Sequence, residues 1–149
     1  MEHAQANLNR TAFDATVHCL TGCAIGEVLG LVIASALGLP DLPSVLLAIV
    51  LAFTFGYALT MRPLIASGIG LRRAGRIALA ADTVSITVME IMDTLIVLAI
   101  PGAMAAGLLD GLFWGSLALA LFVAFLVALP VNRWLISRGL GHAVVSGHH

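Results

Sequence analysis

The chain has 149 residues, of which 60% are hydrophobic and only 10% charged, with a net charge of −1. Soluble domains carry about 25% charged residues, so this composition excludes an ordinary water-soluble globule, and without a basic run it gives no sign of a nucleic-acid partner. A mean hydropathy of +1.07 points to a lipid bilayer as the chain's solvent.

Residues 1–15 are polar, too long a polar lead for a usual signal peptide, and no small-residue cleavage site follows a short apolar core. The first hydrophobic segment is therefore expected to be retained. A helix needs about 20 mostly apolar residues to cross the hydrocarbon core, and four stretches qualify. The first runs from about Thr16 to Leu39 and ends at Pro40-Asp41-Leu42-Pro43. The second runs from about Ser44 to Met61 and stops at Arg62-Pro63. The third runs from about Ala74 to Ile100 and stops at Pro101-Gly102, and the fourth from about Gly111 to Ile136, with Pro130 expected to kink it. The reading is an all-α membrane protein with a four-helix transmembrane domain over 16–136 and a short tail over 137–149 that holds His142, His148 and His149.

Every basic residue is an arginine. Arg10 precedes the first span, Arg62, Arg72, Arg73 and Arg76 surround the second connection, and Arg133 and Arg138 follow or end the fourth span. The first and third connections hold Asp41 and Asp110 instead. The positive-inside rule then puts both termini in the cytoplasm of a multi-pass inner (plasma) membrane protein. Trp114 and Trp134 sit near opposite ends of the fourth span, as interfacial anchors do.

Arg62-Pro63-Leu64-Ile65-Ala66-Ser67-Gly68-Ile69-Gly70 and Arg133-Trp134-Leu135-Ile136-Ser137-Arg138-Gly139-Leu140-Gly141 match in register at Arg, Leu, Ile, Gly and Gly. Two readings fit: an internal repeat of two-helix hairpins, with ligand sites between the repeats, or two independent juxtamembrane loops that each need arginine and glycine.

Ionisable groups at membrane depth cost about 2.5–3.5 kcal/mol on insertion scales, so they usually face inward and serve a function. On the first helix Cys19, Cys23 and Glu27 fall along one face, at about 100° per residue, while His18 points a quarter turn or more away. Gly22, Gly26 and Gly30 form an adjacent strip that lets another helix, or a second copy of the chain, approach closely. On the third helix Asp82, Ser85, Met89 and Asp93 share a face, flanked by Glu90 and Met92. The two sets lie at overlapping depths. The thiols are four apart on one helix, where a disulfide has poor geometry, so both are expected reduced.

Cysteine and methionine are soft ligands that select Cu(I), and histidine accepts several metals. Buried carboxylates carry protons or balance charge. Against this stand plain packing roles for the cysteines and methionines and an interfacial or capping role for His18. The carboxylates are harder to assign to packing.

His18-Cys19-Leu20-Thr21-Gly22-Cys23, Gly26-Glu27, Met61-Arg62, Ala81-Asp82-Thr83-Val84-Ser85, Glu90 and Pro130-Val131-Asn132-Arg133-Trp134-Leu135-Ile136 together resemble a bacterial membrane family catalogued as a domain of unknown function. The resemblance runs from about His18 to about Gly141. It implies the four-helix membrane fold and the HCxxGC motif, and members are sometimes labelled copper-related. This chain has Arg133 where the family pattern expects an aromatic residue and Ala80 where it expects lysine.

The leading expectation is transport, sensing or delivery of a soft metal ion, copper first, through a pocket between the first and third helices. His18, Cys19, Cys23 and Met89 would bind the metal, and Glu27, Asp82, Ser85, Glu90 and Asp93 would relay protons or line the ion path. The rivals are a proton-coupled carrier or channel for another small solute and a non-transporting interaction subunit. A membrane thiol enzyme is not expected, since no resolving cysteine pair exists. The expected partners are the bilayer and a second copy of the chain, as a homodimer.

Overall fold

The computed structural model describes residues 1–140; the tail histidines and the matched Gly141 lie outside them. Four helices follow one another: α1 (Glu2–Leu37), α2 (Asp41–Ala66), α3 (Leu71–Ala99) and α4 (Gly111–Ser137). The four expected helices are present, with shifted bounds. The largest shift is at the start of α1, which runs back through the polar segment. That stretch contains neither Gly nor Pro and holds four alanines, so nothing breaks a helix already held in place downstream. At 36 residues α1 is about 54 Å long, well beyond a hydrocarbon core of about 30 Å.

Helix ends follow from local chemistry. After α2 and after α4 the chain turns through a left-handed glycine, Gly68 (φ 92°) and Gly139 (φ 72°). In each case the next residue donates back across the turn, Ile69 to the carbonyl of Leu64 at 3.1 Å and Leu140 to that of Leu135 at 2.8 Å. This is one helix stop used twice, and α1 ends the same way, with Leu39 bonded to Ala34 at 3.0 Å. Helix-stop chemistry by itself therefore accounts for Gly68 and Gly139, and for Leu64, which packs against Ile69 across the turn. Pro63, expected to end the second helix, lies inside α2; it lacks only its own N–H, and the helix closes within the following turn.

Helices α1·α2, α2·α3, α3·α4 and α4·α1 pack in a ring, and α1 also touches α3 across it, whereas α2 and α4 do not meet. The short diagonal is the α1–α3 one. Small residues every four positions make this possible: Ala48, Ala52, Gly56 and Thr60 on α2, and Ser116, Ala120, Ala124, Ala128 and Asn132 on α4, are all buried. Small side chains let helix axes come close where no hydrophobic effect drives association.

The glycine strip of α1 faces α2, not α3. A Cβ on Gly22 would sit 2.7 Å from the Gly56 Cα, and one on Gly30 2.6 Å from the Ala48 Cα. Gly26 presses on the backbone of Leu51 and Ala52. Because the obstacles are backbone atoms, they cannot rotate away. The strip is consumed inside the bundle, so it is not available to a second copy of the chain.

Helices α1, α2 and α4 are long and apolar enough to cross a membrane. Helix α3 is long enough but falls short in composition, because it carries Arg72, Arg73 and Arg76 in its first two turns and Asp82, Glu90 and Asp93 beyond. Those three acids are buried against the other helices. Outside, exposed Leu29, Val50, Leu95, Phe122 and Leu126 make an apolar surface of the kind that marks contact with lipid.

Candidate functional site: a polar column between the first and third helices

Helices α1 and α3 run parallel, so their polar faces rise together. At the lower level, nearest the arginine-bearing end, the Cys19 thiol donates to Asp82 Oδ1 at 3.6 Å, and Ser85 lies beside the same sulfur. One turn up, Cys23 is within hydrogen-bonding reach of Glu90. One turn further, the carboxyl of Glu27 is within reach of that of Asp93. Two carboxyl groups bond to one another only when a proton lies between them.

Burial is nearly complete along this column. Cys19 and Cys23 are free thiols, both buried, in one apolar cluster with Ile86 and Met89, and Met92 packs at its edge. Glu27 is 4% exposed, Glu90 5% and Asp93 7%. Glu27 Oε2, Glu90 Oε1 and Asp93 Oδ1 have no hydrogen-bond partner among the described residues. An unsatisfied buried carboxyl oxygen is costly in a bilayer, so three together ask for an occupant.

A cavity of about 220 Å³ supplies the room for one. Glu27, Glu90 and Asp93 form its floor, and its walls come from the upper ends of all four helices and from residues 103–108 of the α3–α4 connection. It reaches the end of the bundle that carries Asp41, which is itself a lining residue. The connection is pinned there: the Gly107 N–H donates to Asp110 Oδ2 at 2.8 Å and the Trp114 indole N–H to the Leu108 carbonyl at 2.8 Å.

The model of the family described as Domain of unknown function (DUF4396) matches residues 8–141. The chain belongs to that family. The match takes in the whole polar column, the cavity and all four helices, leaving out only the first residues of α1. No match was found among the curated proteins or the solved structures.

Most of the residues expected to act together lie on one seam. Cys19, Cys23, Glu27, Asp82, Ser85, Met89, Glu90 and Asp93 share the α1–α3 seam. His18 Nε2 is hydrogen-bonded to Thr60 Oγ1 on α2 at 3.0 Å. It continues the four-residue strip of Gly22, Gly26 and Gly30 and meets α2 as they do. Among the described residues no three of His, Cys, Asp and Glu are grouped so as to hold a metal ion. Arg133 donates to Asn9 Oδ1 at 2.6 Å and Gln5 Oε1 at 2.9 Å on the extended start of α1. Arg76 is exposed.

Two polar pairs were not anticipated. Asn132 on α4 donates to Thr16 Oγ1 at 2.9 Å, and Thr16 in turn donates to the Ala12 carbonyl at 2.7 Å. Tyr57 and Thr83 join α2 to α3 at 2.9 Å. An asparagine in the mostly apolar α4 was the available signal for the first. The second had none beyond two polar residues in adjacent helices.

Proposed function

We propose that this membrane protein is a proton-coupled carrier or channel. Glu27, Glu90 and Asp93 would take up a proton or cation from the non-cytoplasmic side, and Cys23, Ser85, Cys19 and Asp82 would continue the path toward the cytoplasm. In this reading α3 is a fourth span whose acids face inward, and the arginines hold the other end in the cytoplasm by the positive-inside rule. The observation that carries it is the floor of the cavity: three buried carboxyls with unpartnered oxygens, joined to one end of the bundle by open space. A buried acid in a span is by default a station on an ion or proton path.

The test is proton flux into liposomes containing the purified protein and an internal pH-sensitive dye, driven by a potassium-diffusion potential. Flux above protein-free liposomes is expected. Glu90→Gln should abolish it, while the Cys19→Ser, Cys23→Ser double variant should keep at least half. A Glu90→Gln protein that conducts like the parent would end the reading.

A second reading, soft-metal and first of all copper handling, is favoured by one observation: the sulfurs of Cys19, Cys23 and Met89 belong to a single buried cluster. It expects close to one Cu(I) per purified chain, lost in the double cysteine variant. A homodimer, if formed, would use lipid-facing residues, since the glycine strip is occupied by α2.

A further inference from the structure

We propose that the cavity above Glu27, Glu90 and Asp93 binds a small organic monocation, a protonated amine on a compact apolar body. This rests on the carrier reading only for calling that cation a substrate; the binding site stands on its own geometry.

Size is the first argument. A proton path needs a file of water and a bare metal ion needs less, whereas 220 Å³ is the share of about seven water molecules. That suits a solute of about seven or eight non-hydrogen atoms. The walls are the second. Leu31, Val45, Ile49, Val97, Phe113 and Leu117 surround the space, drawn from all four helices, and apolar walls favour an apolar body over a hydrated ion.

Charge decides the sign. Among the described residues no arginine, lysine or histidine lines the cavity, so an anion or a zwitterion's carboxylate would find no basic partner there. The floor is formed by the acidic residues Glu27, Glu90 and Asp93, whose carboxyl groups accept hydrogen bonds and carry the only kind of charge found in the described lining. An ammonium has three N–H donors and no need of further acceptors. Asp41 at the mouth attracts the same sign of charge. Phe113 adds a ring face of the kind that accepts a cation.

Three probes of one shape and different charge test this: benzylammonium, benzyl alcohol and benzoate. Each is titrated calorimetrically into the detergent-purified protein at neutral pH, with protein-free micelles subtracted. Saturable one-to-one binding of benzylammonium is expected, at least tenfold tighter than benzyl alcohol, with no binding of benzoate. Glu27→Gln and Asp93→Asn, which keep side-chain volume, should each weaken the amine at least tenfold and leave benzyl alcohol unchanged. Equal affinity for amine and alcohol, preference for benzoate, or no saturable binding of the amine would overturn the proposal. Proton flux without amine binding would leave the carrier reading standing and this one refuted. Amine binding without flux would do the reverse.

Discussion

Glu27 on α1 and Asp93 on α3 meet carboxyl to carboxyl across the short diagonal of the bundle, at the bottom of a cavity, each with one oxygen unpartnered among the described residues. Neither acid sits there for packing, since a leucine at either position would fill the same seam at no desolvation cost. The pair also needs a proton to be a pair. Glu27→Gln supplies a permanent amide donor to Asp93 in nearly the same volume. The fold should therefore hold, with a melting temperature within a few degrees of the parent, while proton flux in liposomes falls at least tenfold. A variant that melts normally and conducts normally would reduce the pair to a structural hydrogen bond.

Helix α1 lies against α2 at backbone contact, and this sets a second expectation. Replacing Gly26 by alanine puts a methyl group into the backbone of Leu51 and Ala52, which cannot turn aside. Gly26→Ala should lower the unfolding free energy by several kcal/mol, the scale of severe overpacking, or prevent the protein from accumulating in the membrane. Gly75→Ala is the matched control. Its Cβ would come no nearer than 3.8 Å to the Met61 Cε, so the helix-propensity gain of about 1 kcal/mol dominates. Denaturation in mixed micelles should show the two variants moving in opposite directions.

The same contact shows what could and could not be read from residues alone. Periodicity put Cys19, Cys23 and Glu27 on one face and Asp82, Ser85, Met89 and Asp93 on another, and those faces meet. A GxxxG strip announces close approach but not with whom, because glycine carries no mark of its partner; here it is α2. His18 followed the strip and went to Thr60 for the same reason. The polar start of α1 reads as a segment apart from the membrane domain because apolar content delimits spans, yet helix formation needs only the absence of breakers. The cavity left no trace in the sequence: Leu31, Val97 and Leu117 inside are the same residue types as the leucines and valines that face lipid. Arg133 departed from the family pattern, and the structure gives it work at the foot of α1, with Asn9 and Gln5.

Cys19 and Cys23 are each about 1% exposed, one thiol bonded to Asp82 and the other beside Glu90. Neither should react with a maleimide in the folded protein over an hour at neutral pH, and both should react within minutes in denaturing detergent. Mass spectrometry counts the adducts directly. Two adducts on the native protein would mean that the seam opens readily to water, and the column would then be wet rather than packed.

Asn132 and Thr16 tie α4 to α1 in the buried half near the arginines. Interhelical hydrogen bonds in membranes average about 0.6 kcal/mol. Removing one partner also strands the other, so each single change should cost more than that. Asn132→Leu and Thr16→Val are each expected to destabilise by about 1 kcal/mol, and the double variant by clearly less than their sum. Additive losses would mean the two residues act through separate neighbours, such as the Ala12 carbonyl that Thr16 also contacts.

Orientation governs every statement about which side feeds the cavity, and it is the expectation most easily tested. Leu109 is fully exposed in the α3–α4 connection beside the cavity mouth, and Ser67 is exposed in the α2–α3 connection among the arginines. In a background with Cys19 and Cys23 replaced by serine, Leu109→Cys should be labelled on intact cells by a membrane-impermeant maleimide. Ser67→Cys should be labelled only after the membrane is opened. The opposite pattern would invert the protein: the arginines would lie outside, and the carboxyl floor would be reached from the cytoplasm. Labelling of both residues on intact cells would place the two connections on one side. That outcome is incompatible with α3 as a span, and the proton path drawn from Asp93 down to Asp82 would no longer cross the membrane.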